Sequence, residues 1–510
     1  VSTILETPAR AVEPAHPPRP WAATFALARF EARELRLHIS VIAVAIVYVG
    51  WILWGIVLNG DDYPVLQNVD RDTQSMPMLF GLAVMLVVNR AVLRSHRHDT
   101  DRHFDVLVVE PWRRTIAHVL SLVPAVLFTA ACVLGQFTWE ALKPGAVGHG
   151  SPAELSVGPL TVLLFGVLGV FVARVIRSSF AGPVLLVFLL FVVGAISGDD
   201  WTAWLAPVVT ESGSTPFPSD LLGRPAAWHA LYLLGLGLFA AALAVLVSGG
   251  RAVVVKQVVV GALALAVLGA VAQSGGVSPS PEVTAARERV SLTPEKVQTC
   301  VEHDRSTYCA FPEWTGRTAD WAAVADRVQN LAGGAAGGER LTVRQRIDAR
   351  YGLDDDPALA PSTERGHVTA LTAWGGNRIP EFAVGVASVL VAGDEKAAST
   401  LCDARLVTAM WLALGADPDP MTAFRNVRLD DSVSGSDTVL APTEPLFMSA
   451  EHTRIVRELL QMPRYDVIGN VKAHWTELTS PKTSMARVAE LLDVPAADKG
   501  ADGDSCEEQE

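Results

Sequence analysis

The stretch Gly261-Ala-Leu-Ala-Leu-Ala-Val-Leu-Gly-Ala-Val-Ala-Gln-Ser-Gly-Gly-Val-Ser-Pro-Ser-Pro281 contains the turning point of the chain. Up to Ala272 it is uninterrupted apolar residues; from Gln273 onward that pattern never returns at such length. Upstream, six further stretches have the same character: Ile39 to Leu58, Met76 to Leu93, Ile116 to Phe137, Val157 to Val172, Ala181 to Ser197 and Ala227 to Val247. The seventh runs from Ala252 to Ala272. A bilayer core takes roughly 20 apolar residues as helix, and helices satisfy their own backbone groups there. Runs such as Pro183 to Ile196 lack charge throughout, unlike the one-sided stripe of a soluble core helix. The expected fold is therefore an α-helical membrane protein of about seven transmembrane helices, followed by a mainly α-helical soluble domain.

The short loops carry their cations unevenly. Arg90, Arg94, Arg97, Arg102, Arg113 and Arg114 cluster between the second and third spans. Arg174 and Arg177 lie between the fourth and fifth, and Arg251 and Lys256 at the sixth-to-seventh turn. The alternate loops hold only Arg71, Lys143 and Arg224. Positive-inside reasoning puts the N-terminus in the cytoplasm, and seven crossings put the tail outside. Trp51, Trp54, Trp139, Trp201, Trp204 and Trp228 fall near the outer ends, where interfacial tryptophans belong. The chain divides into a disordered arm (1–20), an amphipathic cytoplasmic helix (21–38), a transmembrane region (39–273), an extracytoplasmic helical domain (274–497) and an acidic disordered tail (498–510). On the 21–38 helix, Trp21, Phe25, Ala28, Ala32 and Leu35 share one face, as in a helix lying at the headgroup layer. The first 20 residues lack the apolar core of a cleaved signal.

Of five cysteines, Cys132 sits in the third span and four lie in the tail. Val297 to Pro312 reads as a hairpin with Asp304-Arg305 as its turn. Cys300 then opposes Cys309, at a separation suited to a disulfide in an oxidising compartment. Reduced thiols in a cytoplasmic domain are the alternative. The tail histidines His303, His367, His452 and His474, and His229 in the sixth span, are scattered and read as surface or capping residues. Gly333-Gly-Ala-Ala-Gly-Gly338 reads as a flexible linker. The net charge of −13 argues against a nucleic-acid partner.

The loop between the second and third spans is the richest in functional groups. His96, His98, Asp99, Asp101 and His103 include metal-ligand types, but neither HExxH nor CxxC accompanies them. A charged docking surface is the favoured reading, with no metal expected. Here a resemblance emerges. Arg29-Phe-Glu-Ala-Arg-Glu-Leu-Arg36 resembles the short cytoplasmic helix that opens type-2 ABC transporter permeases of the actinobacterial sort. Asp99-Thr-Asp-Arg-His-Phe-Asp105, followed by Glu110-Pro-Trp-Arg-Arg-Thr-Ile-Ala-His118, is similar to their signature between the second and third spans. Arg224-Pro-Ala-Ala-Trp-His-Ala-Leu-Tyr-Leu-Leu-Gly235 resembles the start of their sixth span, and Cys300 to Pro312 the start of an outer domain in one branch. The seventh span and the large tail depart from the common six-span plan.

The resemblance implies a permease subunit of an ATP-driven exporter. Asp99, Asp101, Phe104, Asp105, Pro111, Arg113 and Arg114 would form its coupling element, docking an ABC ATPase subunit. No GxxxxGK[ST] is present, so ATP and Mg would be bound by that partner, and this chain would bind no cofactor and carry no catalytic residue. A second permease subunit, a copy or a related chain, would complete the path. Within the spans, Asn89, Arg90 and Gln136 are the polar candidates for that path, although Arg90 is near enough to the interface to snorkel. A path this apolar suits an amphipathic or lipid-like substrate. The alternative function is a membrane-anchored sensor or accessory protein with a ligand-binding outer domain.

Overall fold

The computed structural model describes residues 20–58, 62–97, 110–197, 202–208, 216–274, 280–351 and 359–495. In the first half the described α-helices are α1 (Pro20–Leu37), α2 (Ile39–Leu58), α3 (Leu66–Asp72), α4 (Ser75–Val92), α5 (Arg94–Arg97), α6 (Pro111–Leu120), α7 (Val123–Ala141), α8 (Pro152–Val175), α9 (Ala181–Ser197), α10 (Ser219–Leu222), α11 (Ala226–Val247) and α12 (Val253–Ser274). Counting α3–α4 and α6–α7 each as one continuous crossing, six helical stretches among the described residues are long and apolar enough to span a membrane. The fifth predicted span, α9, is apolar but has 17 residues. The third predicted span starts earlier than expected, at Pro111, and breaks at Ser121–Leu122 before Pro124. Proline lacks an N–H, so Pro124 cannot bond the Leu120 carbonyl one turn back and its ring crowds that carbonyl, which accounts for a break there.

α4, α8 and α11 form the centre of the bundle. Lipid offers no hydrophobic drive between helices, so close packing of small residues must supply it. Ala262, Ala266 and Gly269 are the small residues on the buried face of α12. A Cβ on Gly235 would stand 2.4 Å from the Ala266 backbone nitrogen, and one on Gly269 would stand 2.6 Å from that of Tyr232. His229 and Gln273 close the same pair with a 2.9 Å hydrogen bond. α2 is peripheral, with only Val41 and Tyr48 buried. In α1 the buried face is Thr24, Ala28, Glu31, Ala32 and Leu35; Trp21 and Phe25, expected on it, are exposed.

The second half is a mixed helical and sheet region, in which short strands accompany the expected helices. Strands β1 (Thr299–His303), β2 (Ser306–Ala310), β3 (Thr342–Gln345) and β4 (His367–Ala370) form one sheet in that order. β1 and β2 are antiparallel, with Cys300 opposite Cys309, and the pair is disulfide-bonded. β2, β3 and β4 run parallel. The helices Thr318–Leu331, Arg378–Ala392 and Arg405–Gly415 pack with this sheet around Trp314, Trp321 and Trp411, all fully buried. A small ribbon, β5 (Asp437–Val439) and β6 (Leu446–Met448), completes the strands described. Ser280-Pro281, Asp419-Pro420 and Ser484 start helices by accepting a backbone N–H on the side-chain oxygen. His452 is a capping residue, as expected: with Ser449 it closes a capping box. His229 and His367, expected as surface or capping residues, are buried. Gly333, expected in a flexible linker, is packed against Trp475 so closely that a Cβ there would lie 2.7 Å from the tryptophan Cβ.

Candidate functional site

One end of the bundle gathers the cation-rich segments. Trp21 at the start of α1 meets Trp112 at the start of α6, with ring centroids 6.1 Å apart. The Arg113 guanidinium lies 5.8 Å from the Trp21 ring and 5.0 Å from the Trp112 ring, and its Nε is 3.1 Å from Glu110. Thr115 donates to Ser248 across to the α11–α12 turn (2.7 Å). Arg174, Arg94 and Arg114 all lie within electrostatic reach of the buried His118. Pro111 occupies the first turn of α6, where a missing N–H costs nothing. The remaining coupling candidates, Asp99, Asp101, Phe104 and Asp105, lie outside the described residues, as do His98 and His103. Among the described residues no group of three metal-ligating side chains converges.

Beside α1 is a charged cavity of about 330 Å³, lined by Glu31, Glu34, His38, Arg90, Arg94 and Arg97. Arg90, Arg94 and Arg97 recur at i, i+4 and i+7, so they share one side of the α4–α5 segment. Glu31 is buried and lies 3.3 Å from Arg94. Burial pushes its carboxyl above the usual range; Arg94 pulls the other way, while Glu34 adds to the rise. This pairing, 63 residues apart in sequence, carries no local sequence signal.

The three residues nominated for a path lie in different surroundings. Asn89 is buried and donates to the Gly169 carbonyl at 3.1 Å, which stitches α4 to α8. Arg90 is exposed and lines the charged cavity. Gln136 is half-buried near the far end of α7.

The other end of the bundle holds a polar clasp that sequence reasoning missed. Asp70, buried, accepts from the Ser151 N–H (2.8 Å) and lies 3.8 Å from Arg224. Gln74 donates to Glu154. The second half of the chain enters this clasp through the Pro312–Arg317 turn. Glu313 accepts from Gln67 and from the Ser219 N–H and hydroxyl. Arg317, 1% exposed, donates to the carbonyls of Tyr63, Gly145 and Thr372. Apolar packing follows the same seam: Val65, Val147, Phe217 and Leu221 belong to the same core as Trp314 and Trp321. The cation-poor loops and the folded tail thus share one end, opposite α1 and α6.

Beyond this chain, the comparisons yield no match: no protein-family model, no curated protein and no solved structure matches the sequence or the fold.

Proposed function

We propose that the chain is the permease subunit of an ATP-driven ABC exporter, working with a separate ATPase and a second permease subunit. The observation that supports this best is the Trp21–Arg113–Trp112 cluster. It joins α1 to α6, the two elements that the family resemblance makes responsible for coupling. A push on one is then transmitted to the other through a packed contact rather than through a flexible loop. α6 continues into α7, so movement at the cluster reaches a crossing helix directly. The substrate class this reading favours is an amphipathic or lipid-like molecule, because the buried faces of the crossing helices are chiefly apolar.

In this reading the cation-rich end faces the cytoplasm and the folded tail lies outside the cell membrane. The Cys300–Cys309 bond supports it, and so does Cys402, which is also disulfide-bonded, since such bonds persist in oxidising compartments. A cysteine at Tyr465, 87% exposed, should react with an impermeant maleimide in intact cells. A cysteine at Arg251 should react only after permeabilisation. The opposite pattern would reverse the orientation. Ser306, although in the tail, is 2% exposed and unsuited to this labelling.

Phe104 is the aromatic anchor of the coupling element in this account. A buried aromatic commonly carries about 2 kcal/mol or more of an interface. Phe104→Ala should therefore lower recovery of the ATPase with the purified permease by at least roughly tenfold. Unchanged recovery and unchanged ATP turnover would remove Phe104 from the coupling role.

A further inference from the structure

Leu35 sits between two openings of opposite character. On one side α1 presents Glu31 and Glu34 to the charged cavity. On the other side lies an apolar groove of about 550 Å³ between α2, α4 and α7, and Arg36 is the one charged residue among those lining it. Arg36 is exposed and, with Arg29 and Arg33, makes a stripe of three exposed arginines at i, i+4 and i+7. The groove follows α2 from Val41 to Leu53. Twelve residues of helix rise about 18 Å, against about 15 Å for half of a bilayer's hydrocarbon core. The groove thus begins at a cation and runs inward for the depth of one leaflet.

The two ends of the groove decide its occupant: a cation at the mouth and apolar side chains along the rest match an anionic headgroup joined to an acyl chain. We propose that this groove binds one anionic phospholipid, with an acyl chain along α2 between Ile42 and Phe128 and its phosphate at Arg36. Juxtamembrane arginines attract anionic headgroups, and the lining offers a carboxylate nowhere to repel one. The site is separate from the proposed coupling function, and its test needs no transport.

Gly50 supplies the decisive variant. It lines the groove, and a Cβ built on it meets nothing within 4 Å, so a larger side chain starts from open space beside the groove. The full-length protein would be equilibrated with dioleoyl phosphatidylglycerol or dioleoyl phosphatidylcholine, and bound lipid counted by native mass spectrometry. The wild type should retain one phosphatidylglycerol in preference to phosphatidylcholine. Arg36→Gln should lower phosphatidylglycerol affinity about fivefold and abolish the preference. Gly50→Trp should lose the bound lipid whatever its headgroup. Retention of phosphatidylglycerol at the wild-type level in both variants would overturn the proposal. So would Gly50→Trp leaving the lipid in place while dissociating a dimer, which would make the groove a seat for a second copy.

Discussion

Arg317→Met is expected to loosen the folded tail from the membrane half and to cost about 2–4 kcal/mol of stability. The side chain is buried, and its three acceptors lie on three segments far apart in sequence: Tyr63, Gly145 and Thr372. Methionine keeps most of the apolar volume but donates to none of them. The Thr372 carbonyl keeps the Trp314 indole N–H as a donor, so the loss falls on the half-buried Tyr63 and Gly145 carbonyls and on the charged hydrogen bonds themselves. Thermal unfolding in detergent should shift down by several degrees. Hydrogen exchange should rise at residues 62–66 and 145–148, on the membrane side of the clasp. Arg350→Ala is the contrast: Arg350 is exposed, pairs with its near neighbour Asp348 and lies over the Tyr351 ring, and such surface contacts are worth little. Equal effects from the two variants would mean that the clasp does not hold the tail in place.

Gly235→Ala should impair the membrane half even more directly, whereas Gly237→Ala, two residues away, should be nearly neutral. At Gly235 the added carbon would stand 2.4 Å from Ala266 N and 2.7 Å from Ala266 Cα. Those are backbone atoms, so relief requires α11 and α12 to separate. Separation also strains the His229–Gln273 hydrogen bond at the end of the same helices. Overpacking a tight site costs about 1–3 kcal/mol, and more where backbone is the obstacle. At Gly237 the nearest atoms are Leu163 side-chain carbons at 3.9 Å, an ordinary contact. Size-exclusion profiles after graded heating should show Gly235→Ala aggregating at a lower temperature than the parent, with Gly237→Ala unchanged. Indistinguishable profiles for the two would contradict the close approach of α11 and α12.

These two predictions also mark where sequence reasoning succeeds and stops. The crossing helices are legible because apolar runs such as Ala227 to Val247 are local signals that bilayer thickness calibrates. The Cys300–Cys309 hairpin is legible because both strands and the turn fall within a dozen residues. β3 and β4 are not. Each has four residues, contains polar Thr, Arg, Gln or His, and gains its partners only through parallel pairing after long excursions. The mainly helical expectation for the tail left these strands out. Pairings such as Gln67–Glu313, 246 residues apart, and Glu31–Arg94 are invisible for the same reason. Gly333–Gly338 misled because composition alone cannot distinguish a free linker from a glycine needed under Trp475. Asn89 shows the same limit: its sequence position marks an amide inside a span, but not the hydrogen bond it makes to the Gly169 carbonyl, 80 residues away.

The most direct test of the permease account is capture of the protein, affinity-tagged and full length, from its native membrane in mild detergent, with ATP hydrolysis measured on the eluate. The account predicts a distinct ATP-binding subunit recovered in stoichiometric amount, vanadate-sensitive turnover, and loss of both on Phe104→Ala. Recovery of the chain without any ATP-binding partner, or of a partner indifferent to Phe104 and to Trp112→Ala, would contradict it.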